Sequence, residues 1–86
     1  MAFYSIEWKA SAAKELRKLP EQAIARILSA VEALANTPRP DGVRKLTGSE
    51  NTYRIRIGEY RVVYNIIDRR LVIEIIRVRD RKEAYK

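Results

Sequence analysis

Over residues 53–57 apolar and polar side chains alternate strictly, which sends Tyr53, Ile55 and Ile57 to one face of a strand and Arg54 and Arg56 to the other. Gly58-Glu59 then suits a two-residue hairpin loop, with glycine where a type II′ turn needs a positive φ. Folding about that loop sets Ile57 opposite Tyr60, Arg56 opposite Arg61 and Ile55 opposite Val62. The pattern predicts a hairpin over residues 53–64 that gathers arginines on its polar face.

The remaining elements follow from the same kind of patterning. Residues 3–8 alternate, with Tyr4, Ile6 and Trp8 on one side, and read as a short strand. Ser11 is placed to cap a helix through Lys18, which ends near Leu19 because Pro20 disfavours helical geometry in the residue before it. Pro20-Glu21 suits the first turn of a second helix. In it, Ile24, Ile27, Leu28, Val31, Leu34 and Ala35 form one apolar stripe of the kind that faces a core. Asn36-Thr37-Pro38 stops this helix, and residues 38–52 form a connection rich in proline, glycine and polar side chains. After the hairpin, Asp68-Arg69-Arg70 makes a turn into residues 71–78, whose nearly continuous apolar run is expected of a strand buried on both faces. The order is β-α-α-β-β-β, an α+β arrangement with a helical hairpin packed on one face of a mostly antiparallel four-stranded sheet. Strict alternation from Leu71 puts Arg77 and Arg79 on the Ile73/Ile75 face, whereas a bulge would re-aim them.

Composition narrows the chemistry. The 86 residues make one domain, and 47% apolar content is ordinary for a globular chain. No run of about 18 apolar residues is present to span a membrane. The first residues, Met1-Ala2-Phe3-Tyr4-Ser5, lack the basic start and apolar centre of a signal peptide, so a cytoplasmic protein is expected. The absence of cysteine removes disulfides and thiolate metal sites, and the absence of histidine removes zinc chemistry and imidazole acid–base catalysis. No cofactor, metal or membrane partner is expected.

The net charge of +7 is unevenly placed. Residues 1–43 carry six Lys/Arg against five acids, and the remaining 43 carry twelve against six, nine of the twelve being arginine. Arginine's flat fork suits phosphate and stacks on bases, so a basic half of this kind points to nucleic acid or to an acidic protein. Two arginines facing each other on a sheet destabilise it by some tenths of a kcal/mol, up to about 1. That arrangement makes sense where an anion is to sit; the plain alternative is a solvated face whose arginines splay apart in water.

The residues now on the page resemble the RelE/ParE superfamily of toxins nearly from end to end. Tyr4-Ser5-Ile6-Glu7-Trp8, Ala12 and Leu16-Arg17-Lys18-Leu19-Pro20 resemble the family's first strand and opening helix. Arg44-Lys45-Leu46 with Gly48 resembles its K-L-x-G approach to the sheet, and residues 53–64 its Y-R-x-R-x-G-x-Y-R-x-x-Y block. Arg77-Val78 and Arg81-Lys82-Glu83-Ala84-Tyr85 resemble its closing segment, with Asp80 where many members have histidine. The resemblance implies a toxin of a toxin–antitoxin pair. Its RelE branch cuts mRNA in the ribosomal decoding site, while its ParE branch inhibits DNA gyrase without being a nuclease. The basic set favours the RelE branch and implies two partners: a RelB-like antitoxin that wraps the basic surface with an acidic segment, and the ribosome with its mRNA.

RNA is cut without metal when its own 2′-hydroxyl attacks the adjacent phosphate, leaving a 2′,3′-cyclic phosphate. Such a reaction needs in-line geometry, neutralised phosphate oxygens and help with protons. On this reading Arg54, Arg56, Arg61, Arg81 and Tyr85 are the catalytic set, with Arg56 and Arg61 clamping the non-bridging oxygens. Arg44, Lys45, Arg77, Arg79 and Lys82 are the RNA-binding set. The base is open among Tyr85, Lys45 and Glu59, and so is the choice between Arg79 and Arg81 as the arginine that reaches the site. Tyr53, Tyr60, Tyr64 and Trp8 are read as packing residues, and Arg69 and Arg70 as solvated charges. Lys9, Lys14, Arg17 and Lys18 are placed on the first helix, away from the site.

Overall fold

The computed structural model describes residues 3–80. Arg81, Lys82 and Tyr85 lie outside the described residues. The sheet has five strands in the order β1-β5-β4-β3-β2. They are β1 (Ser5–Trp8), β2 (Arg44–Lys45), β3 (Thr52–Ile57), β4 (Tyr60–Ile67) and β5 (Val72–Asp80). β1 runs parallel to β5, and the other pairings are antiparallel. Helices α1 (Ala10–Arg17) and α2 (Glu21–Leu34) supply Ala12, Leu16, Ile27, Val31 and Leu34 to one core. The sheet supplies Val62, Tyr64, Ile66, Ile73, Ile75 and Val78 to the same core. Among the described residues no helix is long and apolar enough to cross a membrane.

Two local starts differ from the pattern. α1 opens at Ala10 on Lys9, which is extended and offers no side-chain cap, so Ser11 lies inside the first turn. The Lys9 N–H donates to the Ile75 carbonyl, so the end of the β1–β5 ladder sets where the helix begins. Residues 38–52, read as connection, contribute the fifth strand: Arg44 pairs with Arg54 and Lys45 with Tyr53. A strand of two residues has no period of its own and exists only through its partner. The hairpin turn is as read. Gly58 has φ +60° and Glu59 a negative φ, the type II′ signature.

A bulge governs β5. Val63 pairs with Arg77 and Tyr64 with Ile75, which leaves Ile76 as an extra residue on β5. Before it, Ile73 and Ile75 are fully buried; after it, Val78 takes the buried side. The apolar run at residues 71–78 therefore reflects one covered face and a frame shift. The expectation of burial on both faces holds only at the start of the strand, where Val72 and Ile73 are both buried; Glu74 and Ile76 are half-exposed.

Polar contacts fasten the loops at the far end of the sheet. Arg39 donates through Nη2 to Asp68 Oδ2 at 2.9 Å and through Nε to the Tyr53 hydroxyl at 3.1 Å. The Tyr4 hydroxyl donates to Asp68 Oδ1 at 2.6 Å. Tyr53 stacks on Tyr64, whose hydroxyl donates to the Pro38 carbonyl at 2.8 Å, and burial pushes that phenol up to about 12. Replacing Tyr64 by phenylalanine removes the donor to Pro38 and should cost about 1 kcal/mol, read as a lower urea midpoint at unchanged slope.

The Tyr4 hydroxyl and the Arg39 guanidinium hold the Asp68 carboxyl below the ordinary carboxylate value. The unfolded carboxyl titrates at about 3.9, so the resulting stability is present above that pH. It is lost as pH falls through the lower folded value. Asp68→Asn should therefore unfold at a lower midpoint than the parent at neutral pH, and the gap between the two proteins should close below about pH 4.

Candidate nucleic-acid interface

The face of the sheet away from the helices carries two rows of side chains, set by register. One crosses β2 to β5 as Arg44, Arg54, Val63 and Arg77, because Arg44 pairs with Arg54, Arg54 with Val63, and Val63 with Arg77. The next crosses β3 to β5 as Arg56, Arg61 and Arg79. Adjacent strands lie about 4.8 Å apart and alternate residues of one strand about 6.6 Å apart. All six arginines thus stand within a physiological Debye length, about 8 Å, of at least one other. Arg61 has a like charge directly opposite on both sides.

Two adjoining depressions follow these rows. One of about 360 Å³ is lined by Gly42, Arg44, Arg54, Arg56 and Arg61. The other, about 250 Å³, is lined by Leu46, Arg54, Arg61, Val63, Arg77 and Arg79. Arg54 and Arg61 belong to both. Among the described residues Arg44, Arg54, Arg56 and Arg77 make no ion pair. Arg56 donates through Nε to the Gly58 carbonyl at 3.1 Å, which ties its stem to the turn. Arg79 reaches the opposite way, with Nε 3.5 Å from Glu15 Oε2.

Glu74 and Glu59 stand at the margins of this face. Glu74 lies further down β5, where it accepts from Asn65 at 3.1 Å, and Asn65 in turn accepts from Thr52. Glu59 sits in the hairpin turn beside Arg26 and Tyr60, outside both depressions.

Of the residues expected from sequence, the fold brings together Arg44, Arg54, Arg56, Arg61, Arg77 and Arg79. It does not bring Lys45, which pairs with Tyr53 and so belongs to the helix side of the sheet. Arg81, Lys82 and Tyr85 are outside the described residues. Lys9, placed by sequence on the first helix and away from the site, instead lines a third depression of about 470 Å³ with Leu46, Val63, Ile76 and Arg77. That position follows from the β1–β5 ladder and has no signal in local sequence.

A family model described as the ParE toxin of type II toxin–antitoxin systems (parDE) matches residues 6–85. The chain belongs to that family. Within it the toxin falls on the RelE side, where the following relatives stand. It is 34% identical over 84 residues to the toxin RelE of Mycobacterium tuberculosis, covering 96% of this chain and 87% of that one. It is 31% identical over 86 residues to the mRNA interferase toxin RelE of Escherichia coli, covering 95% and 90% of the two chains. The fold matches that of the archaeal RelE–RelB complex from Pyrococcus horikoshii with a TM-score of 0.83 at 31% identity, covering 92% and 96%.

The rows of like charge act against folding. Arg54→Thr removes one charge from the Arg44–Arg54 pair and puts a β-branched residue on the strand. It should raise stability in low salt by a few tenths of a kcal/mol, up to about 1. The gain should shrink in 1 M salt, where the Debye length falls to about 3 Å, and unfolding titrations at the two ionic strengths measure it.

Proposed function

We propose that this toxin is a ribosome-dependent mRNA endonuclease that needs no metal or cofactor. The observation that carries the reading is the pair of arginine rows on the sheet face away from the helices, centred on Arg61 between Arg56 and Arg79. In the reaction, the 2′-hydroxyl of the mRNA attacks the adjacent phosphorus and the 5′-oxygen of the next nucleotide leaves. The products are a 2′,3′-cyclic phosphate and a 5′-hydroxyl. Arg56 and Arg61 hold the non-bridging oxygens, whose negative charge rises toward the transition state. Arg54 sets the position of the backbone, and Arg44, Arg77 and Arg79 take flanking phosphates without reading sequence.

We assign proton transfer to Tyr85 and neutralisation of the leaving oxygen to Arg81; a cation near a phenol favours its phenolate. Lys45 and Glu59 are set aside as bases because they lie off the arginine face. The names of the relatives support the class of activity: one is an mRNA interferase and another was solved with RelB. The partners are accordingly a RelB-like antitoxin, whose acidic segment covers the arginine rows, and the translating ribosome with its mRNA in the cytoplasm.

The decisive experiment programmes ribosomes with an end-labelled mRNA and adds the toxin, its Arg61→Ala variant, or the toxin with ribosomes omitted. Cuts should be confined to the decoding-site codon, require the ribosome, and slow by roughly 10²–10³ in the variant. Intact mRNA with the parent toxin would overturn the nuclease reading. A gyrase cleavage assay would then test the ParE-type activity, with the arginine face as a protein-docking surface.

A further inference from the structure

β5 continues past the end of β1, so its last residues form a sheet edge with unpaired backbone groups. Glu15, on α1, closes that edge. Its Oε1 accepts the Val78 N–H at 2.9 Å, a bond that the ladder would otherwise have supplied. Its second oxygen, Oε2, lies 3.5 Å from Arg79 Nε. Arg79 Nε is buried and makes no hydrogen bond of its own among the described residues, so the Glu15 carboxylate is the group that compensates its charge. Two residues beyond the bulge, one carboxylate therefore fixes both the backbone and the side chain of the strand.

The position has an electrostatic consequence. Arg79 stands directly opposite Arg61, which already faces Arg56 on its other side. Three guanidiniums in one row repel one another; Arg56 is held to the turn by its bond to the Gly58 carbonyl, and Arg79 is held by Glu15. Glu15 draws the outer member toward the edge by Nε, the guanidinium nitrogen nearest the chain. Arg79 still lines the depression that holds Arg54 and Arg61.

We propose that Glu15 is a positioning residue of the RNA site, one that tethers Arg79 at the β5 edge and partly neutralises it. The inference rests on the RNA-binding reading of the arginine face but not on cleavage. Arg79 in the parent then counts as only part of a phosphate contact, and Glu15 is the residue that sets its share. Lys18 and Asp80 line the same pocket as Glu15 on the edge side.

The test measures binding of a fluorescein-labelled 2′-O-methyl oligouridylate, which lacks the attacking hydroxyl, as a function of salt. Glu15→Gln keeps an oxygen for the Val78 N–H and removes the charge, so its thermal midpoint should stay close to the parent's. Its log-affinity against log-salt slope should steepen by up to about 0.7, the increment for one more phosphate neutralised on a single strand. In an Arg79→Gln background the same change should leave the slope unaltered. Ribosome-dependent cleavage by Glu15→Gln should fall roughly tenfold in kcat, because a released Arg79 competes with Arg61 for the phosphate.

An unchanged slope in Glu15→Gln, or the same steepening with and without Arg79, would overturn the proposal. A second comparison avoids Glu15 altogether: Arg79→Gln should flatten the slope less than Arg54→Gln, since Arg54 has no carboxylate partner among the described residues. Equal flattening would also overturn it. Failure of the nuclease reading would show separately, as intact mRNA with a parent whose binding slopes still follow this pattern.

Discussion

One extra residue in β5 decides which face of this protein is charged. Without Ile76 as a bulge, alternation would carry Arg77 and Arg79 into the core and turn Val78 out to water. Burying two unpaired guanidiniums in that core is far costlier than a local kink, so the frame shift is enforced by the side chains it sorts. The bulge falls where β1 ends and the Lys9 N–H makes its last bond to β5, at the Ile75 carbonyl. The strand is thereby released from its parallel neighbour at the same point where its facing pattern reverses. Glu15 then secures the freed edge through Val78.

The consequence is a face whose local electrostatics and whose fold pull in opposite directions. The apolar side of the sheet is ordinary, with Val62, Tyr64, Ile66, Ile73 and Ile75 buried against two helices. On the other side, register places Arg44 against Arg54, and Arg61 against both Arg56 and Arg79. A sequence shaped for stability alone would alternate signs across such pairs. Here Glu74 turns to Asn65, Glu59 sits in the turn, Asp68 joins Arg39 and Tyr4, and Glu15 meets the row only at its outer end, at Arg79. Stability supplied by the core and by the Arg39–Asp68 fastening supports an array that favours a bound polyanion.

Much of this was legible in the sequence, for a physical reason. The hairpin announced itself because period-two alternation, a glycine at the turn and a short loop are all local, and they fix register by themselves. α2 was legible because its apolar stripe repeats over several turns. The strand at Arg44–Lys45 was not, since two residues carry no period and pair only through the finished sheet. Because that register was unseen, Lys45 was grouped with Arg44, although neighbours on a strand face opposite ways. The bulge stood as one of two alternatives, because residues 71–78 are apolar enough to fit either frame. The roles of Lys9 and Glu15 arise from contacts across most of the chain, as between Glu15 and Val78, and no local pattern encodes them.

The chemistry then follows from what the face lacks as much as from what it holds. The chain has no histidine, so no side chain has an ordinary pKa near neutrality, and a guanidinium with a pKa above 12 is a poor proton acceptor. Such a surface binds phosphate readily but contributes little to moving a proton. Phosphate binding by two rows of arginines is also indifferent to sequence and to strand geometry, so RNA would bind in many poses, few of them in line for attack by the 2′-hydroxyl. A site of this kind becomes a fast and selective nuclease only when something else presents the RNA in the reactive pose. Dependence on the ribosome is therefore the expected behaviour of an arginine face that supplies charge stabilisation and leaves substrate geometry to its partner.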